Sequence, residues 1–187
     1  MMGLMDVALK EWSSVIDALE RGRQILLLRK GGIVEAARGG FQTRHPEFLL
    51  FPSHEHQHNE SLKPEFQKPA DPGKPGWLPI RVLAKITDVL PAPPTLESIR
   101  AIDDAHIWNE RFLRMRYEYR PDLPLVVLLV RAWRLDPPVR IPDRTSYTGC
   151  KSWVNLSENI NVSSAVPVLS EEAYQSKRAQ LLAKLQT

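Results

Sequence analysis

Leu125-Val126-Val127-Leu128-Leu129-Val130-Arg131-Ala132-Trp133 reads as a strand buried on both faces. The run is aliphatic and β-branched, without the one-sided stripe of a surface helix, which predicts a central place in a sheet. Asp136-Pro137-Pro138 is read as its end, because proline gives no N–H to a ladder. Upstream, Ile80, Val82, Ala84 and Ile86 alternate with Arg81, Lys85 and Thr87, the pattern of a half-buried strand running to Leu90. Between the two, Thr95 is placed to cap a helix through Arg116 whose apolar stripe is Ala101, Ala105, Trp108, Phe112 and Met115. Downstream, Tyr147 to Leu156 predicts a strand carrying Trp153, and Ser170 to Leu185 a final helix with Tyr174, Leu181, Leu182 and Leu185 inward.

At the other end, Ala8, Trp12, Val15, Ile16 and Leu19 recur at helical spacing, predicting a helix from Asp6 to Arg21 that Gly22 terminates. Gln24 to Arg29 and Phe48 to Phe51 are short apolar runs read as strands, expected to pair with each other. His54 to Pro79 carries prolines 64, 69, 72, 75 and 79 and is read as a long loop, a feature that in compact domains tends to be functional or disordered. The order is too irregular for a doubly wound sheet. The expectation is an α+β fold over residues 1–187, a single domain with a mixed, largely antiparallel sheet or small barrel flanked by helices, the C-terminal one over 170–187.

Composition bounds the function. Cys150 is the only cysteine, which excludes an intrachain disulfide and a four-cysteine zinc site and fits a reducing compartment. No apolar run approaches the roughly 20 residues of a spanning helix, and Met1 to Lys10 lacks the basic and apolar regions of a signal peptide, so the expected location is the cytoplasm. The formal charge is +3, with 16 arginines against 9 lysines and no lysine between Arg100 and Arg144. Arginine's planar fork suits phosphates and base edges, and surface salt bridges to Asp103, Asp104, Glu110 and Glu118 account for the same residues equally well.

Several groups could carry chemistry. Arg29-Lys30-Gly31-Gly32 could cradle a phosphate with cations and backbone N–H groups, or form a plain hairpin turn. Trp12, Trp108 and Trp133 are read as core, whereas Trp77 and Trp153, the latter beside Tyr147 and Lys151, could stack a base. His54, His56 and His58 alternate on one side of an extended segment and could bind zinc or another divalent metal, with His45 near in sequence; a solvated polar loop is the alternative. The nuclease pattern of an acid two residues before a lysine is absent. A nucleophilic Cys150 or Ser152 would need His106 or His54 beside it.

Ala8 to Trp12, Gly22-Arg23-Gln24-Ile25-Leu26-Leu27-Leu28-Arg29-Lys30-Gly31-Gly32-Ile33, and Phe48 to Pro52 followed by His56-Gln57 resemble the bacterial family called domain of unknown function 1802, across nearly the whole chain. Some of its members are fused to an Mrr-type restriction endonuclease domain. The resemblance therefore implies a nucleic-acid context linked to restriction or defence, and a nuclease partner protein or domain. More distantly, Trp12 to Arg29 and Leu125 to Pro138 are similar to PUA-like barrels of the ASCH and EVE type. The ASCH signature Gly-x-Lys-x-x-Glu-x-Arg keeps Gly22 and Arg29 here but has Gln24 and Leu27 at the lysine and glutamate positions. That pattern implies binding rather than hydrolysis, with EVE-like relatives holding modified bases.

Together these readings predict a non-catalytic module without a cofactor. It would bind DNA or RNA, including a modified or flipped base, through Arg29, Lys30, Gly31, Gly32, Gln57, Tyr147, Lys151 and Trp153. A metal-assisted hydrolase or nuclease using the His54 to His58 segment is the alternative expectation, and a protein-interaction domain a third.

Overall fold

The computed structural model of the chain describes residues 3–30, 39–53, 58–67 and 75–185. Strand β1 covers Leu4–Trp12, helix α1 Ser13–Glu20, β2 Leu26–Arg29, β3 Glu47–Ser53 and β4 Trp77–Pro91. A 3-10 segment at Ser98–Ala105 precedes helix α2, Glu110–Glu118. The remainder is β5 (Val126–Pro142), β6 (Trp153–Asn161), the short β7 (Val166–Pro167) and helix α3 (Glu171–Leu185). One mixed sheet orders the strands β2-β5-β4-β3-β1-β6, with β7 beside β5. Only the β1–β3 pair is parallel among these pairings.

Strand-face alternation builds two cores. Phe48 and Leu50 of β3 enter one apolar cluster, with α1, α2, α3 and the 3-10 segment, while Leu49 and Phe51 enter another. The second holds Ala8, Leu83, Leu135, Tyr147, Val154 and Ile160 but no α-helical residue. The sheet is thus covered by helices on one face, and the second cluster lies on the other.

Several sequence expectations change. Residues 6–12 are strand, not helix: Leu9 faces the first cluster and Ala8 the second, so the segment lies between β3 and β6 with both faces covered. The helical spacing of Ala8 and Trp12 with Val15 and Leu19 was shared by two different elements. β2 pairs with β5, and β3 with β1 and β4, so β2 and β3 are not partners. The stretch from 54 to 79 holds 3-10 turns at Asn59–Ser61 and Pro64–Phe66, and β4 already begins at Trp77.

The expected helix from Thr95 to Arg116 is broken: His106 is extended, and Asn109 opens α2 by accepting the Phe112 N–H. β5 runs through Asp136-Pro137-Pro138. Opposite those prolines the register to β4 jumps, from Val82↔Arg134 to Ile80↔Val139, so they occupy a bulge that asks for no ladder N–H. The predicted strand at Tyr147 starts only at Trp153, because Thr145–Tyr147 is a 3-10 turn.

Candidate nucleic-acid interface

Arg29 ends β2, at one edge of the sheet, and Glu11 lies on β1, four strand positions away. In a flat sheet that separation would be roughly 19 Å. Yet the Arg29 guanidinium donates to Lys10 O at 3.1 Å and to Glu11 Oε2 at 3.2 Å. The sheet is therefore curled so that its two halves face one another, and Arg29 bridges the gap.

Aromatic rings continue from this bridge. The Arg29 guanidinium lies 5.1 Å from the Phe41 ring centroid, and Phe41 stacks on Trp153 at 5.9 Å. Trp153 meets His45 and Phe48 edge-on, at 5.0 and 5.2 Å, and its indole N–H donates to Gln42 O at 3.0 Å. Arg29 and the 147–153 segment, distant in sequence, thus meet through Phe41.

Beneath them sits Arg116 of α2, 5.9 Å from the Phe112 ring. Burial, and secondarily the Arg29 charge, push its guanidinium pKa down to about 10, while Glu11 opposes the shift. The buried Nε atoms of Arg29 and Arg116 have no hydrogen-bond partner among the described residues. Arg29 is paired to the Glu11 carboxylate and Arg116 lies within electrostatic reach of both in a partly dry site, leaving surplus positive charge that favours an anion.

The other predicted residues are placed differently. Lys30 is buried, and its ammonium donates to Arg116 O at 2.9 Å and Tyr117 O at 3.0 Å, capping the last turn of α2. Burial first, then the nearby Arg116 charge, hold its pKa below the ordinary lysine value. Tyr147 is buried in the second cluster, edge-on to Phe51, with its hydroxyl donating to Ser157 Oγ at 3.2 Å or Glu158 Oε2 at 3.1 Å. Lys151, half-buried, donates to Ser146 O. Lys30 thus supports the site from inside, Tyr147 belongs to the other core and not to the site, and Arg29 with Trp153 line it.

Gly31, Gly32, His54, His56 and Gln57 lie outside the described residues, and His58 is exposed. His106 is buried, with neither ring nitrogen hydrogen-bonded among the described residues, so it is not poised as a base for Cys150 or Ser152. Of the tryptophans, Trp108 is buried and stacks on Phe112 at 5.0 Å, Trp12 and Trp133 are partly buried against the cores, and Trp77 is exposed. Sequence reading missed Glu11, Phe41 and Arg116. Only the isolated glutamate in the apolar stretch Val7 to Trp12 signalled the first, and nothing local signalled the others.

The family model for the domain of unknown function (DUF1802) matches residues 8–180, which takes in β1 through most of α3. The chain belongs to this family. Among solved structures, this DUF1802 chain is similar to the crystal structure of ASCH from Zymomonas mobilis at 10% identity and a TM-score of 0.43, over 95% of this chain and 93% of that one. No curated protein matches it. No helix among its described residues is long and apolar enough to cross a membrane.

Proposed function

We propose that this chain is a nucleic-acid recognition module that holds a phosphate at Arg29 and Arg116 and stacks a base against the Phe41–Trp153 pair. The observation that carries the reading is two partly buried guanidinium groups, Arg29 paired to Glu11 and Arg116 close enough to feel both charges, beside stacked aromatic rings. Phosphates take up surplus arginine charge through charge-assisted hydrogen bonds. Base–aromatic stacking adds about 1–3 kcal/mol per base and tolerates any sequence, while a modified base gains specificity from hydrogen bonds at its edge. Membership of a family with nuclease-fused members supports a restriction or defence setting and a nuclease partner for the module.

The test is a fluorescence titration with single-stranded DNA and RNA oligonucleotides, with and without modified bases. Arg29→Ala and Trp153→Ala should each weaken binding about tenfold, whereas Arg111→Ala, which removes the same charge from an exposed pair with Glu60, should change it less than twofold. Equal effects of all three substitutions would remove this site from consideration.

A further inference from the structure

A cavity of about 700 Å³ opens where the C-terminal turn of α1, the 61–67 segment, the 3-10 segment and α3 meet. Arg21, Arg23, Lys63, Lys177, Glu65 and Asp104 are its charged lining. None of the residues that form the Arg29–Trp153 interface lines it.

The charge balance follows from the pairings. Asp104 is held by Lys184 at 2.7 Å, and Lys63 by Asp103 at 3.1 Å. The side chains of Arg21, Arg23 and Lys177 have no hydrogen bond or ion pair among the described residues, and neither has that of Glu65, so a surplus of about two positive charges faces the cavity. The turn that presents the two arginines is fixed. Gly22 has φ +63°, and a Cβ there would come within 2.6 Å of Leu169 Cδ2, while Arg21, Gly22 and Arg23 N–H groups close the last carbonyls of α1. A second polar group sits in the same wall. His106 lines the cavity with no side-chain exposure, and both its ring nitrogens lack a hydrogen-bond partner among the described residues, an arrangement rare in folded proteins.

We propose that this cavity is a second ligand site, for a phosphate monoester held by Arg21, Arg23 and Lys177. A monoester carries close to two negative charges near neutral pH, matching the surplus, whereas a backbone diester carries one. The volume exceeds that of a phosphate and falls in the range of small-molecule pockets, leaving room for an organic body of nucleoside size. The site is separate from the interface proposed for nucleic acid, and it stands if that reading fails.

Isothermal titration of the full chain with a nucleoside 5′-monophosphate, the corresponding nucleoside, and inorganic phosphate tests it. The monophosphate should bind saturably, at least tenfold more tightly than the nucleoside. The combined Arg21→Gln, Arg23→Gln and Lys177→Gln variant should weaken that binding at least tenfold, and Lys177→Glu alone, at a side chain without a partner among the described residues, should weaken it measurably without altering thermal unfolding. Arg29→Ala should leave it unchanged. Oligonucleotides with a 5′-phosphate or a 5′-hydroxyl distinguish a strand end from a free nucleotide: a 5′-phosphate preference that the triple variant abolishes supports a strand end, and binding of the free monophosphate alone supports a nucleotide. Absence of any phosphate-dependent binding, or affinities unmoved in both variants, would overturn the proposal.

Discussion

Glu11 governs the charge of the interface because it is the carboxylate paired with Arg29, with the Arg116 charge close by. Its side chain and that of Arg29 are only 9% and 13% exposed, so the pair is poorly screened and removing one partner leaves the other half-dry. Glu11→Gln should therefore destabilise the fold by about 3 kcal/mol, read from the urea midpoint at constant slope. His106 gives a residue-scale pH signature. Burial, with Lys63 nearby, pushes its pKa down to about 4 from an ordinary 6.5, against a weaker opposing pull from Asp103. The folded state thus holds the neutral ring while the unfolded chain takes up a proton as pH falls below 6.5. Stability present above pH 6.5 should fall by about 2–3 kcal/mol towards pH 4. His106→Leu should flatten the limb between pH 6.5 and 5, where carboxylates still ionised in both states contribute little; an unchanged limb would show that the ring titrates normally.

At the scale of elements, the end of β2 joins two structures through neighbouring side chains: Arg29 reaches β1, and Lys30 caps α2. Lys30→Met leaves the Arg116 and Tyr117 carbonyls without this donor and should cost about 1–3 kcal/mol, seen as a lowered thermal midpoint. Nucleic-acid affinity of the folded fraction should move less than twofold, in contrast to Arg29→Ala; a tenfold loss would place Lys30 in contact with the ligand. Helix α3 is fixed to β4 in the same side-chain manner, by Tyr174 OH against Thr87 Oγ1 at 2.5 Å and by the Arg178–Asp88 ion pair. The ion pair, chiefly through its hydrogen bonds, holds the Asp88 carboxyl below the usual range. The sequence showed α3 and the inward face of β4, because apolar period is local. It did not show that Gln24 to Arg29 would join β5, since a short apolar strand fits any buried neighbour.

On the scale of the whole molecule, curvature of the sheet makes the interface. With the one phosphate at Arg29 and Arg116 engaged, the observed association constant should fall roughly two- to threefold between 50 and 200 mM salt, and Arg29→Ala should reduce the slope of log K against log salt by about 0.7. A salt-independent association would point to a protein-interaction surface instead.

What the sequence determined by itself is what neighbouring residues decide: the alternation of Ile80 to Ile86, the apolar run at Leu125, the helix stop at Gly22 and the arginine-rich charge. Tertiary structure alone decided that Leu4–Trp12 is a strand, that Lys30 is buried, and that Arg29, Phe41, Arg116 and Trp153 meet. The reason is separation along the chain. Trp153 bonds a carbonyl 111 residues away and Lys30 one 86 residues away, and such contacts arise only when the packed fold brings distant segments together.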